Sequence, residues 1–82
     1  MKVEVRVYPK EGVLDPQGRA IAAALGRLGY ASVEDVRAGK IFFLEVEGED
    51  PVVVVAEATK MAEELLANTV IEGYDVRVRP EA

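Results

Sequence analysis

From Lys2 to Tyr8 apolar and polar residues alternate without a break, Val3, Val5 and Val7 against Lys2, Glu4 and Arg6. A period of two marks a strand with one buried face, and Pro9 is expected to end it. A short connection containing Gly12 follows. Asp15 then offers a capping carboxylate, with Pro16 at the first helical position where a missing N–H costs nothing. Ala20, Ile21, Ala24, Leu25 and Leu28 recur at helical spacing, and Gly29 is placed to end the last turn. The pattern predicts an amphipathic helix lying against a sheet.

Val33 to Ala38 and Ile41 to Glu47 read as two further strands, joined through Gly39-Lys40 where glycine supplies the positive φ of a tight turn. In the second of them Phe42, Leu44 and Val46 share one face while Ile41 and Phe43 take the other, so both sides carry apolar residues. Four consecutive valines, Val52 to Val55, favour a strand by propensity. Their context favours a helix instead: Asp50-Pro51 repeats the cap-and-proline start, and Val55, Ala58, Ala62, Leu65 and Leu66 extend an apolar stripe toward Asn68. Tyr74, Val76 and Val78, alternating with Asp75, Arg77 and Arg79, predict a last strand stopped by Pro80.

The predicted order is βαββαβ in one domain over residues 1–82, with no linker or repeat. It fits an α+β two-layer sandwich, a ferredoxin-like antiparallel sheet with two helices on one face. The other face is left bare. It mixes charge (Lys2, Glu4, Arg6, Arg77, Arg79) with Ile41 and Phe43, as expected of a surface that pairs with another subunit. Ile41 and Phe43 are therefore candidate oligomer-interface residues.

Composition then restricts the chemistry. The chain has no histidine and no cysteine, so the usual general base near neutral pH, the thiolate nucleophile and the common zinc ligands are all missing. Ser32, Thr59 and Thr69 are the only aliphatic hydroxyls, and none has a histidine to activate it. No catalytic residue is expected. Fifteen acidic against ten basic residues give a net charge of −5, which opposes nucleic acid and anionic membrane surfaces. The longest apolar run, six residues from Ala20 to Leu25, is far below the roughly 20 of a membrane span. With no signal-like leader before the first strand and no disulfide framework, the expectation is a cytoplasmic protein.

Few side-chain groupings suggest a site. Asp15-Pro16-Gln17-Gly18 opens a helix whose N–H groups face an anion-receptive position, but it lacks the glycine-rich loop and Lys-Ser/Thr of a nucleotide P-loop. Arg37 and Lys40 flank Gly39 and are suited to clamping a carboxylate or phosphate. Glu45, Glu47, Glu49 and Asp50 lie close together without the spacing of a calcium loop, so no metal is expected. Tyr8, Tyr30 and Tyr74 are not grouped as a base-stacking platform.

Three blocks, Val13-Leu14-Asp15-Pro16-Gln17-Gly18, Asp35-Val36-Arg37 with Gly39-Lys40, and Leu65-Leu66-Ala67-Asn68 with Val70-Ile71-Glu72 and Tyr74, give the chain a close resemblance to a known family. It resembles PurS, the small subunit of phosphoribosylformylglycinamidine synthase in de novo purine biosynthesis. The resemblance covers essentially the whole chain and implies a non-catalytic subunit that forms homodimers or tetramers. Its implied role is to bridge a glutaminase subunit (PurQ-like) and a large synthetase subunit (PurL-like) so that ammonia passes between them. The combined enzyme converts formylglycinamide ribonucleotide, ATP and glutamine to formylglycinamidine ribonucleotide, ADP, phosphate and glutamate. ATP and magnesium are then expected on the large subunit, and no cofactor on this one. With that resemblance, Asp15, Gln17, Arg37 and Lys40 become candidate partner-interface residues. The alternatives are a ferredoxin-like regulatory module that binds a metabolite between two subunits, and a small acylphosphatase-type hydrolase. The second is disfavoured because Tyr8-Pro9-Lys10-Glu11-Gly12-Val13 carries no arginine and holds an acid.

Overall fold

The computed structural model of the chain describes residues 1–79. Its order is β1 (Lys2–Pro9), α1 (Pro16–Arg27), β2 (Lys40–Glu45), α2 (Pro51–Met61) with a π-helical continuation over Ala62–Leu66, and β3 (Glu72–Val78). The strands form one antiparallel sheet in the order β2-β1-β3. The ferredoxin-like α+β class expected from the sequence holds, but three strands form rather than four. Pro80, expected to stop the last strand, lies outside the described residues.

The missing strand is the one over residues 33–38, which is irregular, and the reason lies in the side chains around it. The Ala38 N–H donates to Asp15 Oδ2 at 2.8 Å, and Arg37 Nη1 donates to the Pro9 carbonyl at 3.2 Å. The Val36 carbonyl packs on Gly18, where any side chain would collide with it. These contacts tie the segment to the start of α1 and away from the outer edge of β2. Gly39 accordingly makes no hairpin turn: among the described residues positive φ is confined to Gly12, Gly29 and Gly48. Its lack of a side chain serves a close approach instead, since a Cβ there would stand 2.5 Å from the Val7 carbonyl.

The strict alternation of β1 translates directly into packing. Val3, Val5 and Val7 are almost wholly buried, and α2 covers them with Val54, Ala58 and Ala62. Phe42, Leu44, Tyr74 and Val76 close the sides of this layer. Asp50 caps α2 as expected, accepting from the Val52 N–H at 3.0 Å. The stripe is shifted, however: Val54 rather than Val55 faces inward, and Leu65 is 83% exposed. The π-helical turn, closed by the Ala67 N–H on the Ala62 carbonyl at 2.9 Å, is wider than an α turn and rotates the following residues off the regular phase. Ala67 reaches the core in their place.

Helix α1 forms between the expected signals. Asp15 caps it, Pro16 opens it, and Gly29 at φ +100° follows its C-terminus, where the Tyr30 N–H returns to the Leu25 carbonyl at 2.9 Å. The expected packing of its apolar stripe against the sheet is absent from the single chain. Ile21 remains 39% and Leu28 72% exposed, and the helix layer of the sandwich is built by α2. The molecule is correspondingly long and flat, 48 × 32 × 14 Å, with a radius of gyration of 16.0 Å, against about 12 Å for a compact chain of this length.

Candidate functional site

The block Val13 to Gly18 and the segment 36–40 meet at one end of the sheet, and Asp15 is the joint. One carboxylate oxygen accepts from the Gly18 N–H at 3.0 Å, capping α1, while the other accepts from Ala38. Donation from Gly18 and then from Ala38 stabilises the charged form and holds the carboxyl below its ordinary value of 3.8, with the positive charge of Arg37 adding to the effect. Asp15 is thus spent on internal bonds, and its role is to build the surface. Pro16 and Gly18 fit the same reading, one presetting the helix start and the other admitting the Val36 carbonyl.

Beside this joint runs an open groove of about 430 Å³, lined by Val13, Leu14, Asp15, Gln17, Gly39 and Lys40 among others. Leu14 is 65% exposed there. Three of the four sequence-derived partner candidates, Asp15, Gln17 and Lys40, therefore border one groove. Arg37 and Lys40 line an adjoining depression with Arg6, Tyr8 and Ile41, so the four candidates form one continuous region. Arg37 is steadied by its bond to Pro9 and by Asp35 at 3.7 Å, and Lys40 places its ammonium 5.7 Å from the centre of the Phe42 ring. The proposed oligomer candidates Ile41 and Phe43 lie on the uncovered sheet face, 46% and 65% exposed, with the Arg79 guanidinium 5.3 Å from the Phe43 ring centre.

The third block has a structural explanation that the sequence alone did not reveal. Asn68 organises a tight turn: its side chain accepts from Val70, its N–H donates to the Glu72 carboxylate at 2.7 Å, and its carbonyl receives Ile71 and Glu72. Lys10 Nζ clamps the same turn through the Thr69 carbonyl at 2.7 Å. The Tyr74 hydroxyl donates to Glu63 at 2.6 Å, and that bond to a carboxylate raises the tyrosine above its ordinary value of 10.0. Only the Asn-Thr pair hinted at this turn in the sequence; Lys10 and Glu63 are distant in the chain and carried no local signal. Among the described residues no cluster of three or more carboxylates, histidines or cysteines is arranged to hold a metal, and no helix is long and apolar enough to cross a membrane. The arrangement is an open, solvent-facing groove bordered by Asp15, Gln17 and Lys40.

The family model described as PurS, phosphoribosylformylglycinamidine (FGAM) synthase, matches residues 2–80. The PurS subunit of phosphoribosylformylglycinamidine synthase from Mycobacterium leprae is 51% identical over 72 residues, covering 88% of this chain and 87% of that one. Among solved structures, PurS of Methanocaldococcus jannaschii superposes with a TM-score of 0.86 at 37% identity, covering 99% of this chain and 98% of the other. A chain in the structure of PurLQS from Thermotoga maritima gives 0.83 at 37% identity, with 93% of each chain covered.

Proposed function

The chain belongs to the PurS family of phosphoribosylformylglycinamidine synthase subunits, and from that premise we propose that it bridges a glutaminase subunit and a large synthetase subunit so that ammonia passes between them. The observation that carries this reading is the match, over 93% of the chain, to a chain of the Thermotoga PurLQS structure. The single chain supports it: Asp15 and Gly18 of the first motif join α1 to residues 36–38 and so build a surface at one end of the sheet. Glutamine hydrolysis and the use of ATP and magnesium then belong to the partners, and this subunit needs no cofactor. Its place of action is the cytoplasm.

Bridging has a plain physical value. Ammonia released into bulk water is diluted and protonated, whereas two active sites held in register give it a high effective concentration at the acceptor. In this proposal Gln17, Arg37 and Lys40 face a partner enzyme, and Asp15 fixes the backbone that presents them. The chain also self-associates, because a core of valines and alanines with Ile41, Phe43 and the α1 stripe exposed is poorly covered as a monomer.

The test is size-exclusion with light scattering of this subunit mixed with glutaminase and synthetase subunits, with glutamine and ADP present, together with a glutamine-dependent synthesis assay. Co-elution with restored activity is expected. The double variant Arg37→Glu and Lys40→Glu should weaken association about tenfold or more, mainly by slowing encounter. Unchanged affinity removes these two residues from the interface, and failure of the native chain to associate at all favours the metabolite-binding module.

A further inference from the structure

Leu65 and Val70 are the two most exposed large apolar residues among the described ones, at 83% and 81%. Other exposed apolar side chains have a setting already described: Leu14 borders the groove, Ile41 and Phe43 lie on the sheet face, and Ile21 and Leu28 belong to α1, which stands as an arm beside the sheet. Leu65 and Val70 have none. The π-helical turn carries Leu65 outward while Ala67 reaches the core, and Val70 sits in the turn that Asn68 organises. Many bonds hold that turn: the Asn68 side chain and carbonyl close it, the Glu72 carboxylate accepts from the Asn68 N–H, and Lys10 reaches it twice, from Nζ to the Thr69 carbonyl at 2.7 Å and from its own N–H to the Ile71 carbonyl at 2.9 Å. Valine is stiff at χ1, and a turn already hydrogen-bonded in the free chain has little backbone freedom to lose on binding.

The ground around the turn is acidic. Glu63, Glu64 and Glu72 line the depression beside it with Lys10 and Thr69, and the Lys10 ammonium is committed to the Thr69 carbonyl. Glu63 and Glu72 accept from Tyr74 and Asn68, whereas Glu64 has no such donor among the described residues. Apolar side chains with a charged rim are the anatomy of a protein interface, and here the charge selects the occupant. A second copy meeting this patch about a two-fold axis would set Glu63, Glu64 and Glu72 against themselves. Nucleic acid and anionic membrane surfaces are repelled for the same reason. A protein surface that is apolar at its centre and rimmed by arginine or lysine fits. The patch is also continuous with the groove, because Ile71, itself 43% exposed, and Glu72 pass from the turn into the groove wall shared with Gln17 and Lys40.

We infer that the Asn68 turn is a second recognition element for the partner enzyme that occupies the groove. Leu65 and Val70 seat against an apolar patch of that enzyme, and Glu64 meets a basic residue on its rim. The inference rests on the bridging role proposed above and adds the chemistry of the partner's surface.

Both apolar side chains are so exposed that truncating them leaves the core untouched, so the double variant Leu65→Ala and Val70→Ala isolates binding. Native and variant chains are titrated against the synthetase and the glutaminase, separately and together, with glutamine and ADP present. Light scattering and a thermal melt are run on the variant alone. The expected result is a loss of about tenfold or more toward one enzyme, the same one whose binding Arg37→Glu with Lys40→Glu weakens, with the variant's own mass and thermal midpoint unchanged. Glu64→Lys lowers the same affinity, most at low salt. Unchanged affinity of the double variant for both enzymes overturns the inference and leaves the bridging role standing. So does a loss toward an enzyme that the Arg37→Glu and Lys40→Glu pair does not affect. A double variant that falls to a smaller oligomer assigns the patch to contacts between copies and overturns the inference as well. If the native chain binds neither enzyme, the bridging role and this inference fall together.

Discussion

Asp15 shows how much one side chain decides. Its carboxylate joins the α1 start to the 36–38 segment, and the two N–H donors keep it ionised below the ordinary carboxylate range. A group whose folded pKa is depressed contributes stability that is present above its unfolded value and disappears as pH falls through the folded one. The variant Asp15→Asn should therefore unfold at a lower temperature near neutral pH, and its gap to the native chain should close as the pH is taken well below 3.8; thermal melts across pH 2 to 7, in the sense of about that range for carboxylate titration, check it. A gap that stays constant down to strong acid would assign the effect to shape rather than charge. Gly18→Ala separates helix propensity from packing. Alanine favours an isolated helix by about 1 kcal/mol, but here its methyl group meets the Val36 carbonyl, so a net loss of about 1–3 kcal/mol is expected in denaturant melts.

At the scale of elements, strand parity and capping were legible in the sequence because both are local. Val3, Val5 and Val7 turn inward as their alternation required, and both Asp-Pro pairs open helices. What was not legible depends on groups far apart in the chain. The 33–38 segment has a strand's composition, yet its backbone is claimed by Asp15 and by Arg37's bond to Pro9. The helical stripe likewise fails at Leu65, because the π-helical turn over Ala62–Leu66 shifts the phase. The structure brings Asp15, Gln17, Arg37 and Lys40 to one end of the sheet, but that Asp15 is spent on internal bonds and Arg37 on Pro9 was not legible, because those partners lie far away in the chain. The burial pattern makes a prediction: Val54→Ala, on the inward stripe with Ala58 and Ala62, should cost about 2 kcal/mol by chemical denaturation, and Leu65→Ala, turned out by the π-helical turn, should cost little.

The whole molecule is one sheet, one covering helix and one arm. Its buried core is made of Val3, Val5, Val7, Val54 and three alanines, with no leucine or aromatic side chain fully enclosed among the described residues, so the isolated chain is only thinly stabilised. Association that buries the arm should therefore make the thermal midpoint rise with protein concentration, which calorimetry over a hundredfold dilution series reads directly. Helix α1, at 12 residues, is anchored only at its start, through Asp15 and Gly18, so its later turns fray in water when no partner covers them, because a short helix is marginal on its own. Far-ultraviolet ellipticity of the dilute subunit should then fall short of that of the assembled one, so the folding of this arm is written into the encounter itself and α1 acts as a built-in gauge of whether the subunit has found its mates.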